Sequence, residues 1–142
     1  MVSTIILSPA SGAVVSAAQD MTVAVKTQGI NLGFFEDPNT RYYTSPQTLD
    51  KAGNIEGHQH VTIQALGSAQ APPNPQTQAL AFFKGLDQAT NNGILTVTVP
   101  AGSMKPGLTR ICTMTGGRGH QAVLMPVARR GAQDDCIRIT VQ

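Results

Sequence analysis

Tryptophan is absent from this chain of 142 residues, charged side chains make up 13% of it, and there are two cysteines. Each scarcity excludes something. So few charges cannot furnish the solvated outer faces of long helices, which rely on Glu, Lys and Arg. A net charge of +2, with its Lys and Arg scattered, leaves no footprint for nucleic acid. No long apolar run or basic amphipathic stretch argues for membrane insertion. Residues 1–8 lack the basic start and long apolar core of a signal peptide. They read as the first strand of a mature domain, so a secreted form would already have lost its leader. No Asn-x-Ser/Thr acceptor occurs.

Catalytic fingerprints are missing as well. There is no Gly-x-Ser-x-Gly elbow, zinc-protease helix, phosphate loop or dinucleotide turn. The neighbouring acids Glu36-Asp37 and Asp134-Asp135 diverge on extended chain, whereas a glycosidase needs two carboxyls flanking one bond. Arg129-Arg130 near Asp134-Asp135 reads as a surface charge cluster at a hairpin turn. The expectation is a protein that is not an enzyme.

What is present is strand rhythm. Ile5 and Leu7 alternate at the start, then Ser8-Pro9-Ala10-Ser11-Gly12 makes a turn. Met21, Val23 and Val25 alternate with Thr22, Ala24 and Lys26. Val61, Ile63 and Ala65 alternate with His60, Thr62 and Gln64, and Leu95, Val97 and Val99 with Thr96 and Thr98. Further strand-like runs occupy residues 80–83, 108–115, 121–128 and 135–141, and Gly or Pro punctuates nearly every gap. A helical turn near residues 87–91 is the one helical suggestion. About seven to eight strands in one domain spanning residues 1–142 suit an immunoglobulin- or fibronectin-like antiparallel β-sandwich; a small barrel competes.

Residues 28–56 break the rhythm as one long loop with neither helical nor strand period, and such loops usually carry function. Four of the six aromatic residues lie there: Phe34, Phe35, Tyr42 and Tyr43. With Glu36, Asp37 and Arg41, the rings Phe35, Tyr42 and Tyr43 form the candidate ligand-binding set. Aromatic faces pack against sugars and favour protein interfaces. The alternative is that the rings plug one end of the sandwich.

The histidines are the one constellation with metal potential. His58 and His60 share a strand face, and Gly119-His120-Gln121 echoes Gly57-His58-Gln59. Were the two segments neighbours, three imidazoles would converge, as copper or zinc requires. On the alternative reading, the histidines lie on a polar face that Thr62 and Gln64 continue, bonded to carbonyls and hydroxyls.

Several segments together resemble a group of small secreted fungal proteins of uncharacterised function. They are Leu32-Gly33-Phe34-Phe35, Gly57-His58-Gln59-His60-Val61, Ala81-Phe82-Phe83-Lys84-Gly85, and Met125-Pro126-Val127-Ala128-Arg129-Arg130-Gly131 followed by Asp134-Asp135. The resemblance spans residues 8–141. It implies export, an Ig-like β fold, and no known chemistry. In an exported domain Cys112 and Cys136 are expected to form a disulfide, stabilising the fold by roughly 3 kcal/mol on the chain-entropy model; two buried thiols are the alternative. The functional expectation is a secreted binding protein contacting cell-wall polysaccharide or a host-cell surface protein. Copper or zinc binding through His58, His60 and His120 is the second possibility.

Overall fold

A computed structural model describes residues 1–77 and 79–142. Among the described residues, ten strands and one short helix follow in the order β1 (Ser3–Ser8), β2 (Val14–Val15), β3 (Met21–Gln28), β4 (Ile30–Leu32), α1 (Pro38–Arg41), β5 (Ile55–Ala65), β6 (Phe82–Leu86), β7 (Ile94–Val99), β8 (Gly107–Thr113), β9 (Gly116–Gly117) and β10 (Cys136–Val141). Three strands make one sheet, in the order β1-β3-β7. The other seven make the second, in the order β2-β10-β8-β5-β4, with β6 and β9 also paired to β5. This is the expected Ig-like sandwich. No helix among the described residues is long and apolar enough to cross a membrane.

The core sits where the alternation put it. Val23 and Val25 of β3 face inward, as do Leu95 and Val99 of β7, while Thr22 and Lys26 are exposed. From the second sheet come Val61, Ile63, Ile111, Ile137, Ile139 and Val141. Ile111 is the register partner of Ile63 on one side and of Ile137 on the other, so three isoleucines form one rung across the sheet. Each fully buried aliphatic side chain of this kind contributes roughly 1.5–3 kcal/mol. Cys112 lies opposite Cys136 in the same register and is bonded to it, as expected. Thr113 N–H donates to the Asp135 carbonyl just beyond the pair. The two cysteines therefore occupy a non-hydrogen-bonded site, where facing side chains come closest.

Several expectations need correction. The sandwich is not wholly antiparallel: β2 runs parallel to β10, and β4 parallel to β5. Both are short segments that join a distant strand after a turn, and no local pattern encodes such a pairing. The long loop begins with a strand, Ile30–Leu32, and contains a helical turn, Pro38–Arg41, whereas the helical turn expected near residues 87–91 does not form. Asp37 caps α1 by accepting from Asn39 N–H at 2.9 Å, the ordinary role of Asp before a first helical turn. Residues 121–128 form no strand beyond one bridge between Gly116 and Ala122. Nor do Asp134 and Asp135 pair with Arg129 or Arg130. Asp134 Oδ1 accepts from Thr115 N–H and Thr115 Oγ1, both at 2.7 Å, and Asp135 Oδ2 accepts from Ile6 N–H at 2.8 Å. These carboxylates satisfy buried backbone and hydroxyl donors between the sheets, a use that outweighs a solvent-screened surface pair.

Candidate metal centre

The strand β5 alternation sends Gln59, Val61 and Ile63 toward the core and His58, His60 and Thr62 to the opposite face. That outer face is not open. His58 is fully buried and His60 is 8% exposed, because loop residues 33–36 and the segment through β9 to Val123 fold over it. Gly57 permits the covering, since a Cβ there would overlap the Gly116 carbonyl of β9. Residues 116–120 then double back and deliver His120. This residue has φ 71°, in the left-handed region that few non-glycine residues adopt. Strain of that kind clusters at functional sites.

The three imidazoles converge. One nitrogen from each of His58, His60 and His120 lies within 4.8 Å of the others, and His58 Nε2 is 3.2 Å from His120 Nδ1. The outer nitrogens are all taken by backbone carbonyls. His58 Nδ1 meets the Phe34 carbonyl at 3.0 Å, His60 Nδ1 the Met114 carbonyl at 2.9 Å, and His120 Nε2 the Glu36 carbonyl at 2.7 Å. A carbonyl accepts and never donates, so each outer nitrogen carries the proton. In the neutral rings the three inner nitrogens, His58 Nε2, His60 Nε2 and His120 Nδ1, are then bare lone pairs.

Two of those lone pairs face one another at 3.2 Å, which is repulsive unless a cation lies between them. A metal ion bonded to two imidazoles at about 2.0–2.1 Å separates their nitrogens by roughly 3–3.4 Å. A proton is the alternative cation, but burial disfavours charge on two of the three rings. Burial, reinforced by the neighbouring His60, lowers the His58 pKa from 6.5 to about 4. Burial likewise lowers that of His60. Neutral imidazoles with their far N–H groups fixed by carbonyls are the form that ligates metals, and such outer contacts set tautomer and ring orientation. Gly116 floors the cluster: a Cβ there would sit 3.5 Å from His60 Cε1 and 3.6 Å from His58 Nε2. A longer side chain would grow into the space among the rings. The polar-face reading of these histidines is corrected in one respect, because the face is buried. They do bond to carbonyls, but through one nitrogen each, and the remaining three point at one another.

The loop residues divide. Phe35 belongs to the histidine cluster, packing edge-on against His58 and His120 with centroids 5.0 and 4.9 Å away. Tyr42 and Tyr43 are exposed and stacked on each other, 4.3 Å apart and 9° from parallel. They are not core plugs. Glu36 and Asp37, expected to orient a ligand, are instead spent internally. Glu36 supplies its carbonyl to His120 and its carboxylate to Arg118 at 3.7 Å, and Asp37 caps α1. Arg41 is exposed on α1 and takes no part in the ion pairs among the described residues.

Arg118 was not singled out by sequence, yet it fastens the loop. Its guanidinium bonds Glu56 at 3.1 Å and lies 4.6 Å over the Phe34 ring, while its carbonyl accepts from Glu36 N–H. A lone Arg in a Gly-rich run carries no signal of such a role. Gln59 was missed too. Its amide reaches the hydroxyls of Thr27 and Thr115 at 3.0 and 2.9 Å, forming a buried polar layer that ties both sheets together beneath the imidazoles.

Residues 4–142 match the family described as the CLU5d N-terminal domain. The chain is also 46% identical over 143 residues to "Pathogenicity cluster 5 protein d" of the fungus Colletotrichum graminicola, covering 99% of this chain and 30% of that protein. The chain belongs to the CLU5d N-terminal domain family. It spans about a third of the length of that curated relative. Among solved structures it is similar to fibronectin(III)-like modules of CbhA from Clostridium thermocellum, with 8% identity, coverage of 98% of this chain and 45% of that one, and a TM-score of 0.43. It is likewise similar to a β-glucosidase from Listeria innocua in complex with glucose, with 12% identity, coverage of 99% and 16%, and a TM-score of 0.47. Likenesses this distant carry nothing about ligand or activity.

Proposed function

We propose that this domain is a non-enzymatic, secreted metal-binding module of a fungal effector-like protein, holding one copper ion through His58, His60 and His120. The carrying observation is the set of three bare ring nitrogens within 4.8 Å, each fixed by a carbonyl on its far side. Copper(II) comes first because imidazole donors bind it most tightly among the first-row divalent ions; zinc is second. Export is supported by the Cys112–Cys136 disulfide, which persists in oxidising compartments. The relative's place in a pathogenicity cluster supports the effector-like role.

Titration with copper(II) tests the reading. One equivalent should bind per chain and raise the melting temperature, since a ligand that prefers the native state stabilises it. His60→Ala, which leaves two ligands, should remove most of the gain, and Gly116→Leu, which leaves every histidine in place, should do the same. Weak multi-site binding unaffected by either substitution refutes the site.

A second reading adds a recognition surface beside the metal, at the exposed Tyr42–Tyr43 stack. Paired rings open to solvent suit a wall polysaccharide or a host-cell surface protein. Replacing both tyrosines by Ala should weaken glycan or receptor capture by about tenfold or more without lowering the melting temperature. Normal capture by that double variant would remove this surface from consideration.

A further inference from the structure

The histidine cluster is buried, but it is not sealed. A cleft of about 340 Å³ opens over it, lined by Phe35, His60, Phe83, Lys84, Asp87 and His120 among others. That volume is at the small end of small-molecule sites. The walls are aromatic: Phe83 lies along His60 with centroids 5.4 Å apart, and Phe35 stands edge-on to His120. The opening above His60 exists because its cross-strand partner is Gly85. A Cβ at that position would come 4.0 Å from His60 Nε2 and 4.0 Å from the Phe35 ring, so any longer side chain would occupy the cleft.

Charge decides what enters. No Cys, Asp or Glu among the described residues joins the three histidines. A divalent ion held by neutral imidazoles keeps its full double charge, because only anionic ligands would offset it. Lys84 pairs in register with core-facing Val61, so its side chain leaves β6 on the far face, and the single carboxylate of Asp87 at the rim does not offset the double charge of the ion. A structural site fills its coordination sphere with protein groups, whereas three protein ligands and an accessible side leave a position for an outside donor.

Building on the copper reading above, we infer that the bound ion keeps one coordination position directed into this cleft, and that the position takes a small anionic oxygen- or nitrogen-donor ligand, of which a carboxylate is the natural class. The ligand bonds to the metal through its donor atom, its charge is balanced by the ion, and its remaining atoms rest against Phe35 and Phe83.

Azide and acetate are the probes. Protein loaded with one equivalent of copper(II) is titrated with sodium azide, then with sodium acetate as competitor, and read by the azide-to-copper charge-transfer absorption and the electron paramagnetic resonance spectrum. Wild type should give a saturable azide band that acetate reverses. Gly85→Leu should bind copper with unchanged stoichiometry but take azide at least tenfold more weakly. Lys84→Gln, an exposed change on the opposite face of β6, is the control and should alter neither copper stoichiometry nor azide affinity. Copper uptake without any azide band means a closed coordination sphere and overturns the inference. So does a band in wild type that Gly85→Leu does not weaken, because azide then enters elsewhere. A wild type that takes up no copper at all overturns the metal reading itself, and the stoichiometry shows this before azide is added.

Discussion

Strand β5 faces two interiors, and they are built on opposite principles. On its inner side Val61 and Ile63 join an aliphatic core in which shape and area decide everything. On its outer side His58 and His60 are buried almost as deeply, but in a layer of ring nitrogens, carbonyls and hydroxyls. The inner layer satisfies itself: apolar groups need no partners beyond contact. The outer layer satisfies its outward-facing donors and leaves three acceptors aimed at one point. An apolar interior is complete with the chain alone, whereas this polar one presents the three acceptors on which the proposed copper site rests.

Substitutions on the two sides should separate the layers. The largest effect belongs to the inner face. Ile63→Ala should cost about 4 kcal/mol of unfolding free energy, since it empties a fully packed rung against Ile111. Copper stoichiometry should not change, and a denaturant titration with and without the metal measures both. If Ile63→Ala also abolished copper binding, the layers would be coupled rather than independent.

Acid comes next and should act on the outer layer. In the metal-free protein the His58 imidazole titrates at about 4 when folded, against 6.5 when unfolded. Between those values the unfolded chain holds more protons. The stability that His58 contributes is therefore fully present above about pH 6.5, falls as the pH drops through the window, and levels off below about 4. The loss amounts to at most about 3–4 kcal/mol. Unfolding curves at pH 7 and pH 4.5 for wild type and His58→Asn give the difference, which should shrink in the variant to the part that His60 contributes. A wild type with no greater acid sensitivity than His58→Asn would mean that the ring is not held neutral by burial.

The smallest effect concerns the backbone that delivers the third ring. With φ at 71°, His120 sits where glycine is at ease and alanine is not. His120→Gly should be more stable than His120→Ala by about 1 kcal/mol, a melting difference of a few degrees, although both lose the same imidazole. Equal stability would show that the left-handed conformation carries no strain.

Much of this was legible in the chain. The period-2 apolar pattern set the inner faces of β3, β5 and β7, because a half-buried strand must alternate. The two Gly-His-Gln tripeptides flagged imidazoles able to meet. What the pattern could not show was the covering of the outer face. His58, His60 and Thr62 read as polar because polar residues on alternate positions usually mean solvent. Their burial depends on β4 pairing parallel with the start of β5 and on β9 crossing Gly57, contacts between distant segments with no local signature. The same blindness explains the strand expected at residues 121–128. Val123 packs with Val2 and Ile55 in a satellite cluster while Leu124 is exposed, so the alternation is real, but one bridge is all the pairing it finds. Glu36 and Asp37 misled for a related reason. Acidic residues beside aromatic rings look like ligand contacts, and nothing local says that a cap and a guanidinium will claim them.

The central claim is that three imidazoles bind one ion, and pulsed electron paramagnetic resonance of the copper(II)-loaded protein tests it most directly, because the modulation from remote ring nitrogens counts the coordinated histidines. The account predicts three coordinated imidazoles in wild type and two in His60→Ala. A spectrum showing one imidazole or none, unchanged by His60→Ala, would contradict it.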